Sequence, residues 1–393
     1  MTLQTTYQGL RVLDLSTNIA GPFAAMILGD LGADVIKVER PPSGDDTRTL
    51  PPRWKGQGTV FLAVNRNKRS VVLDLKTPEG REALLKLVAR TDILIESFPP
   101  GVGSQLALTY REFRSARPGI IVGSVSAFGA GPVGSKMPGY DALVQAVSGM
   151  MSFTGEPGGP TVRLAPSLLD LTTGMWLALA VMAALARVKA GGEGEHIQLA
   201  LLDSAFALMC HQVLGFLATG AVPVKLGSGA PSAAPYRVFK GTDGEFMVAT
   251  ATDAQFARLC RALEAEHLSK EERFRTVEAR LSSRAALDAI LAERFAKESV
   301  DTWLQRLRAA GISSGRVNDL REALHLEVTK ERELFIDPTV GWSDGMPLLR
   351  LPIDADGVAL HRPPPKLGEH STEVLKDVGY DAAAIERLTG NRP

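Results

Sequence analysis

Apolar and polar positions fall into short strand-length and helix-length blocks through the first third of the chain. Residues 10–15 (LRVLDL) form a short apolar run suited to a buried strand. Residues 21–31 have helical content, Gly32 ends that helix, and residues 34–38 (DVIKV) give a second strand. The alternation continues with a strand at 70–75, then a helix opened by Thr77-Pro78-Glu79 and running to about Ala89. Pro at the first helical position and an early Glu are start signals, because the missing N–H would be unpaired there anyway. Strands at 92–96 (DILIE) and 120–124 follow. Strands alternating with helices predict a mainly parallel, doubly wound α/β sheet.

Beyond that point the pattern changes. Residues 170–190 and 199–221 read as helical, and the Gly/Pro/Ser-rich stretch 227–235 reads as a linker. YRVFKGTDGEFMVAT, residues 236–250, predicts a hairpin with Asp243-Gly244 at its turn, followed by a helix to about residue 263. Charged amphipathic helices fill roughly 270–310, as in a small α+β domain. A Pro-rich segment after about 330 ends in a short helix at 382–388.

Two apolar stretches invite a membrane reading. Residues 171–186 carry no charge but fall short of the roughly 20 that a bilayer requires. Residues 204–224 include His211, Gln212, Gly215, Gly220 and Pro223. Both read as buried core helices. The 44 basic and 44 acidic residues balance, which argues against nucleic acid or an anionic membrane as the main partner. Cys210 and Cys260 stand alone, with no zinc spacing and no disulfide framework. The N-terminus lacks the layout of a signal peptide, so the expected location is cytoplasmic.

Familiar nucleotide motifs fail on inspection. The opening strand–helix–strand with Glu39 suggests a dinucleotide unit, but only Gly21 lies in the first turn and G-x-G-x-x-G is missing. GAGPVGSK, residues 129–136, has Ser135 where a P-loop needs its lysine, and Pro132 removes an amide. No His/Asp/Glu set shows metal-ligand spacing. Asp170 is the residue of interest. Locally it has two readings: a helix N-cap for the stretch beginning at Leu171, worth about 1 kcal/mol, or a carboxylate whose reaction intermediates the unpaired helical amides stabilise.

Nearly the whole chain resembles the class III CoA-transferase family, which also contains the α-methylacyl-CoA racemases. The resemblance rests on VLDLSTNIAGPFAAMILGDLGADVIKVERPPSGDDTR, NRNKRSVVLDLKTPEGREALLKLVARTDILIESFPPG, PGYDALVQAVSG, LLDLTTGMW, GEGEHIQLALLDSA, YRVFKGTDGEFMVA and PPPKLGEHSTEVL, in that order. It implies that Asp170 is the nucleophile, passing through an aspartyl anhydride and an aspartyl-CoA thioester, with CoA and acyl-CoA as substrates and no permanently bound cofactor or metal. It also implies CoA contacts at Ile19, Ala20, Arg40, Leu73, Lys76, Ser97, Phe98, Pro99, Tyr140 and Asp141. Gln105 and Pro138 depart from basic residues found in some members. The racemase branch has a histidine where this chain has Tyr140, and a phenol with pKa about 10 is a poor base for an α-proton at neutral pH. Transferase is therefore favoured; a non-catalytic CoA-binding protein is the reading from another class. Arg48 is either a ligand for the second carboxylate of a dicarboxylic acid or part of a structural ion pair.

The implied architecture is a Rossmann-like large domain built from both chain termini (1–225 with 331–393), a small α+β domain (226–330) and an interlocked homodimer. Linkers at 227–235 and 335–352 fit that path.

Overall fold

The computed structural model describes residues 3–336, 345–353 and 362–389. Part of the second expected linker, residues 337–344, lies outside them. Six strands make one parallel sheet: β1 (Arg11–Asp14), β2 (Asp34–Glu39), β3 (Lys68–Val72), β4 (Ile93–Glu96), β5 (Ile121–Ser126) and β6 (His196–Ala200). Their spatial order is β3-β2-β1-β4-β5-β6, the doubly wound order of dinucleotide-binding folds. Val12 and Leu13 on β1 and Ile93, Leu94 and Ile95 on β4 have no exposed surface. Consecutive residues point to opposite faces, so both faces are covered, and the central strands are apolar apart from charged residues that include Arg11, Asp14 and Lys37. The edge strand β6 is different. It has one neighbour, β5, and alternates His196 and Gln198 with apolar residues. Its sequence therefore blends into the apolar helix that follows, and residues 199–221 read as one helical stretch.

The principal helices of this part of the chain are α1 (Ala20–Asp30), α2 (Pro78–Val88), α3 (Tyr110–Ala116), α4 (Asp141–Val147), α5 (Leu168–Lys189), α6 (Leu201–Leu208) and α7 (Cys210–Thr219), with shorter ones at Thr59–Val64 and Val102–Gln105. The expected start of α2 holds: Thr77 Oγ1 accepts from the Gly80 N–H at 3.0 Å, with Pro78 at the first position. α6 and α7 are bent by 68° at their junction. The reading of 204–224 as a buried core helix is corrected here. α7 buries no residue, and Leu214 and Leu217 are 65% and 71% exposed. Apolarity alone does not tell a sequence reader what will cover a helix. α5 is also longer than read, 22 residues, long and apolar enough to cross a membrane on length and composition alone; half of its most apolar window is buried within the protein.

A second body of structure holds β7 (Tyr236–Gly241), β8 (Gly244–Ala249), α8 (Asp253–Ala262), α9 (Arg284–Phe295), α10 (Val300–Ala309) and β9 (Ser313–Arg316). The antiparallel sheet runs β9-β8-β7. Gly241 pairs with Gly244, so the hairpin turn is Thr242-Asp243, one residue earlier than expected. Asp243 is drawn into it by accepting the Val300 N–H at 2.7 Å. Phe239, Phe246, Phe256, Leu291, Phe295 and Trp303 fill the core, with Phe295 edge-on to Phe246 and Trp303. The chain then reaches α11 (Ser371–Asp377) and α12 (Ala382–Thr389). Val374, Leu375 and Ile385 from these helices pack with Leu13, Ile36, Val71, Leu84 and Phe113 on one face of the parallel sheet.

The chain divides into two compact units. Met1–Ser148, Leu164–Leu214 and Glu333–Pro393 form one, and Gly149–Arg163 with Gly215–Arg332 the other.

Candidate active site

Strand order reverses between β1 and β4, and open α/β sheets bind ligands outside the carboxyl ends of their strands at such a point. Here the loops leaving the two strands are tied together: the Thr17 N–H donates to Ser97 Oγ at 3.0 Å. Gly21 explains why the β1–α1 loop needs a single glycine. A Cβ there would stand 2.3 Å from Ser16 Oγ, because the chain folds back on itself. The loop carries Ile19 as the N-cap residue of α1, followed by buried Ala20. After β4 come Ser97 and Phe98, both half-buried, and exposed Pro99. The Phe98 N–H is held by Glu96 Oε2 at 2.7 Å. Burial raises the Glu96 carboxyl above its usual range, opposed by hydrogen bonds from Ser124 and the Phe98 amide. Ser124 Oγ in turn lies 2.8 Å from His196 Nε2. No local motif marks Glu96; an acid closing a buried strand is its one signal.

Further along the same sheet edge, Arg40 follows β2, exposed and ion-paired with Asp46. Lys76 lies exposed beyond β3. Leu73 is fully enclosed in the sheet's core, main chain included, and presents no surface for the expected CoA contact. Arg48 follows the second of its two readings, a structural ion pair. Its Nε and Nη2 donate to the two Glu39 carboxylate oxygens at 2.8 and 2.6 Å, Nη1 donates to Pro365 O, and its guanidinium lies over the Phe61 ring. The bidentate face of the fork is taken by Glu39, and burial keeps the group away from solvent.

The start of α5 forms the other element of the site. The local reading of Asp170 as N-cap is corrected: the N-cap is Ser167, and Asp170 is the third helical residue. The capping acceptor comes from elsewhere. Asp141 Oδ2 accepts the Leu169 N–H at 2.8 Å and lies 3.4 Å from the Asp170 N–H. Its other oxygen accepts from Gln145 Nε2 at 2.6 Å, and Gln145 Oε1 accepts the Leu164 N–H at 2.9 Å. Asp141 is thus buried and spent on positioning the helix start, which removes its side chain from the expected CoA contacts. Tyr140 beside it is 73% exposed.

Two forces act on the Asp170 carboxyl. Burial comes first and the neighbouring Asp141 charge second, and together they push its pKa up to about 7. The group is half-buried, and no hydrogen bond to its carboxylate is seen among the described residues. One turn on, Gly174 marks where α5 meets α1: a Cβ there would stand 2.6 Å from Ala20 O and 3.1 Å from Phe23 Cδ1. Residues four apart share a helix face. Asp170 therefore lies on the side of α5 that meets the start of α1, next to the switch-point loop. A poorly solvated carboxylate poised near neutrality can act as nucleophile or base. Among the described residues no group of three His, Cys, Asp or Glu side chains could hold a metal.

Comparison with known proteins bears on the same site. The chain is 37% identical to human succinyl-CoA:glutarate CoA-transferase over 390 residues, covering 97% of this chain and 88% of that one. It is 36% identical to acetyl-CoA:oxalate CoA-transferase of Acetobacter aceti over 376 residues, covering 94% and 95%. A crystal structure of a CAIB/BAIF family protein from Brucella suis superposes with a TM-score of 0.83 at 37% identity, covering 94% of this chain and 98% of that one. The description of CoA-transferase family III matches residues 7–371. With a doubly wound sheet and a match over almost its full length, the chain belongs to CoA-transferase family III and is a coenzyme A transferase.

Proposed function

We propose that this transferase moves CoA between dicarboxylic acids with Asp170 as covalent nucleophile. The carboxylate attacks the thioester carbonyl of the donor, expelling CoA thiolate and leaving a mixed aspartyl anhydride. The thiolate then attacks the aspartyl carbonyl, releasing the first acid and forming an aspartyl-CoA thioester. The incoming acid attacks that thioester, giving a second anhydride and thiolate. Attack of the thiolate on the new acyl carbonyl yields product and restores Asp170. Bonds made and broken balance without an oxidant or metal, and CoA enters as substrate only. The observation that carries this reading is the placement of Asp170 in the first turn of α5, half-buried beside a carboxylate already committed to structure. The amides at the helix start are already taken by Pro166 O, Asp141 and Ser167 O, so the oxyanion is not assigned to them.

Ile19, Ala20, Ser97, Phe98 and Pro99 at the switch point are the proposed track for the coenzyme. Arg40 and Lys76, exposed at the same sheet edge, are proposed to meet its phosphates. Asp141 contributes by positioning the start of α5. The dicarboxylate preference is inferred from the acids named in the relatives, glutarate and oxalate. The enzyme is further proposed to be cytoplasmic and to work as an interlocked homodimer. Exposed Met175, Trp176 and Leu179 on α5 and Leu214, Phe216 and Leu217 on α7 would lie in its interface.

The test is a CoA-exchange assay over pairs of acyl-CoA donors and dicarboxylic acid acceptors. Asp170→Ala is expected to lose exchange by about four orders of magnitude while still binding CoA. Exchange at the wild-type rate in that variant sinks the proposal.

A further inference from the structure

Beneath the β1–α1 loop four charged side chains are sealed from solvent: Asp14 from β1, Lys37 from β2, Asp45 from the segment after β2, and Lys68 from β3. Lys68 Nζ donates to Asp14 Oδ2, Asn65 Oδ1 and Pro22 O, each at 2.8 Å. Lys37 Nζ donates to Ser16 O at 2.8 Å and lies 3.0 Å from Asp45 Oδ2 and 3.7 Å from Asp14 Oδ2. Each ammonium group spends one N–H on a main-chain carbonyl of the loop, Ser16 where it leaves the strand and Pro22 just inside α1. Asp14 adds a hydrogen bond from the Ser16 amide, and Asp45 Oδ1 lies 3.4 Å from the amide of Asn18, whose φ is 66°. The cluster therefore grips both ends and the middle of the loop. In dinucleotide-binding folds glycines give this loop its close approach to a ligand; here the loop is held from below.

A buried, balanced set of charges contributes little net stability, because desolvation offsets attraction. Its distinctive effect is geometric. We propose that Lys37 and Lys68 are positioning residues of the transfer reaction, fixing the β1–α1 loop in the shape that receives the coenzyme. The inference rests on the reading that Ile19 and Ala20 contact CoA.

Lys68 is the adjustable member. Asp14 on β1, Lys37 on β2 and Asp45 face it, and Glu39 acts on Lys37. Burial brings the Lys68 ammonium down to about 8; Lys37 adds to that effect, and Asp14 and Asp45 oppose it. Losing its proton leaves Asp14 less well held and the cluster negative, so the loop loosens as pH rises through that value.

The test compares the wild-type enzyme with Lys68→Met by steady-state kinetics and hydrogen exchange. The variant is expected to raise KM for acyl-CoA about tenfold, with a much smaller change in kcat. Amides 17–20 should exchange faster, and the alkaline fall in kcat/KM near pH 8 should disappear. Unchanged exchange at 17–20 overturns the clamp. Faster exchange with unchanged KM overturns the positioning role and shows that the failure lies in the loop's coenzyme contact. If Lys68→Met does not fold, the wild-type enzyme decides: protection of 17–20 should fall, and acyl-CoA KM rise, between pH 7 and 9. Flat values of both refute the proposal.

Discussion

Replacing Asp170 by Asn should stabilise the fold while ending catalysis, by an amount that depends on pH. The folded-state carboxyl is raised from 3.8 to about 7. Folding is therefore opposed wherever the unfolded chain has released this proton, because the folded state must either keep it or bear a poorly solvated charge. The penalty is absent below about pH 4, grows as pH rises toward 7, and is complete above it. Three pH units at 1.36 kcal/mol each give about 4 kcal/mol as a ceiling at pH 8.5; partial exposure of the group brings the expectation to about 2–3 kcal/mol. At pH 5 the same reasoning leaves about 1 kcal/mol. An amide is neutral throughout and can donate to Asp141, so Asp170→Asn should recover these amounts. Urea denaturation at pH 5 and pH 8.5 measures both, read as a shift in midpoint at constant slope. A variant that is destabilised, or equally stabilised at the two pH values, would refute the claim that burial and Asp141 hold this carboxyl up.

Two further substitutions probe the same turn. Asp141→Asn keeps an acceptor for the Leu169 amide but removes the repelling charge; the acid limb of the kcat profile should move to lower pH, and an unmoved limb counts against the coupling. Gly174→Ala forces a methyl group against Ala20 O and Phe23, so overpacking of about 1–3 kcal/mol should outweigh the helix-propensity gain of about 1 kcal/mol. Displacing α5 from α1 should cost kcat about 10–100-fold with the fold intact by circular dichroism, whereas wild-type kcat would show that the close approach does not set the site.

The central strands β1, β2 and β4 were legible because burial on both faces writes short runs of Val, Ile and Leu, broken inside the sheet by Asp14 and Lys37. β6 was not, since an edge strand with polar His196 and Gln198 loses that signature. α7 misled for the converse reason: Leu214, Phe216 and Leu217 are as apolar as core residues, yet no part of the described chain covers them. Local pattern could find Asp170 but could not separate capping from chemistry. Only the fold shows that the cap is supplied by Asp141, 29 residues earlier in sequence. The lysine cluster left a faint trace, a charged residue inside each of two strands buried on both faces, Lys37 in DVIKV and Lys68 in NKRSVV. A strand-period reading has no way to pair them, because Asp14, Lys37 and Lys68 meet only when β1, β2 and β3 lie side by side. Arg48 shows the limit from the other side: a carboxylate-binding fork is recognisable in sequence, but which carboxylate fills it is not.

The covalent role of Asp170 is most directly tested by trapping. Enzyme incubated with a dicarboxylic acyl-CoA and then with borohydride or hydroxylamine is digested, and the peptide containing LLDLTTGMW is weighed by mass spectrometry. Reduction of an aspartyl thioester or anhydride to the alcohol, or conversion to the hydroxamate, should appear at Asp170 and require acyl-CoA. An unmodified Asp170 under turnover, or a label on another carboxylate, would contradict the account.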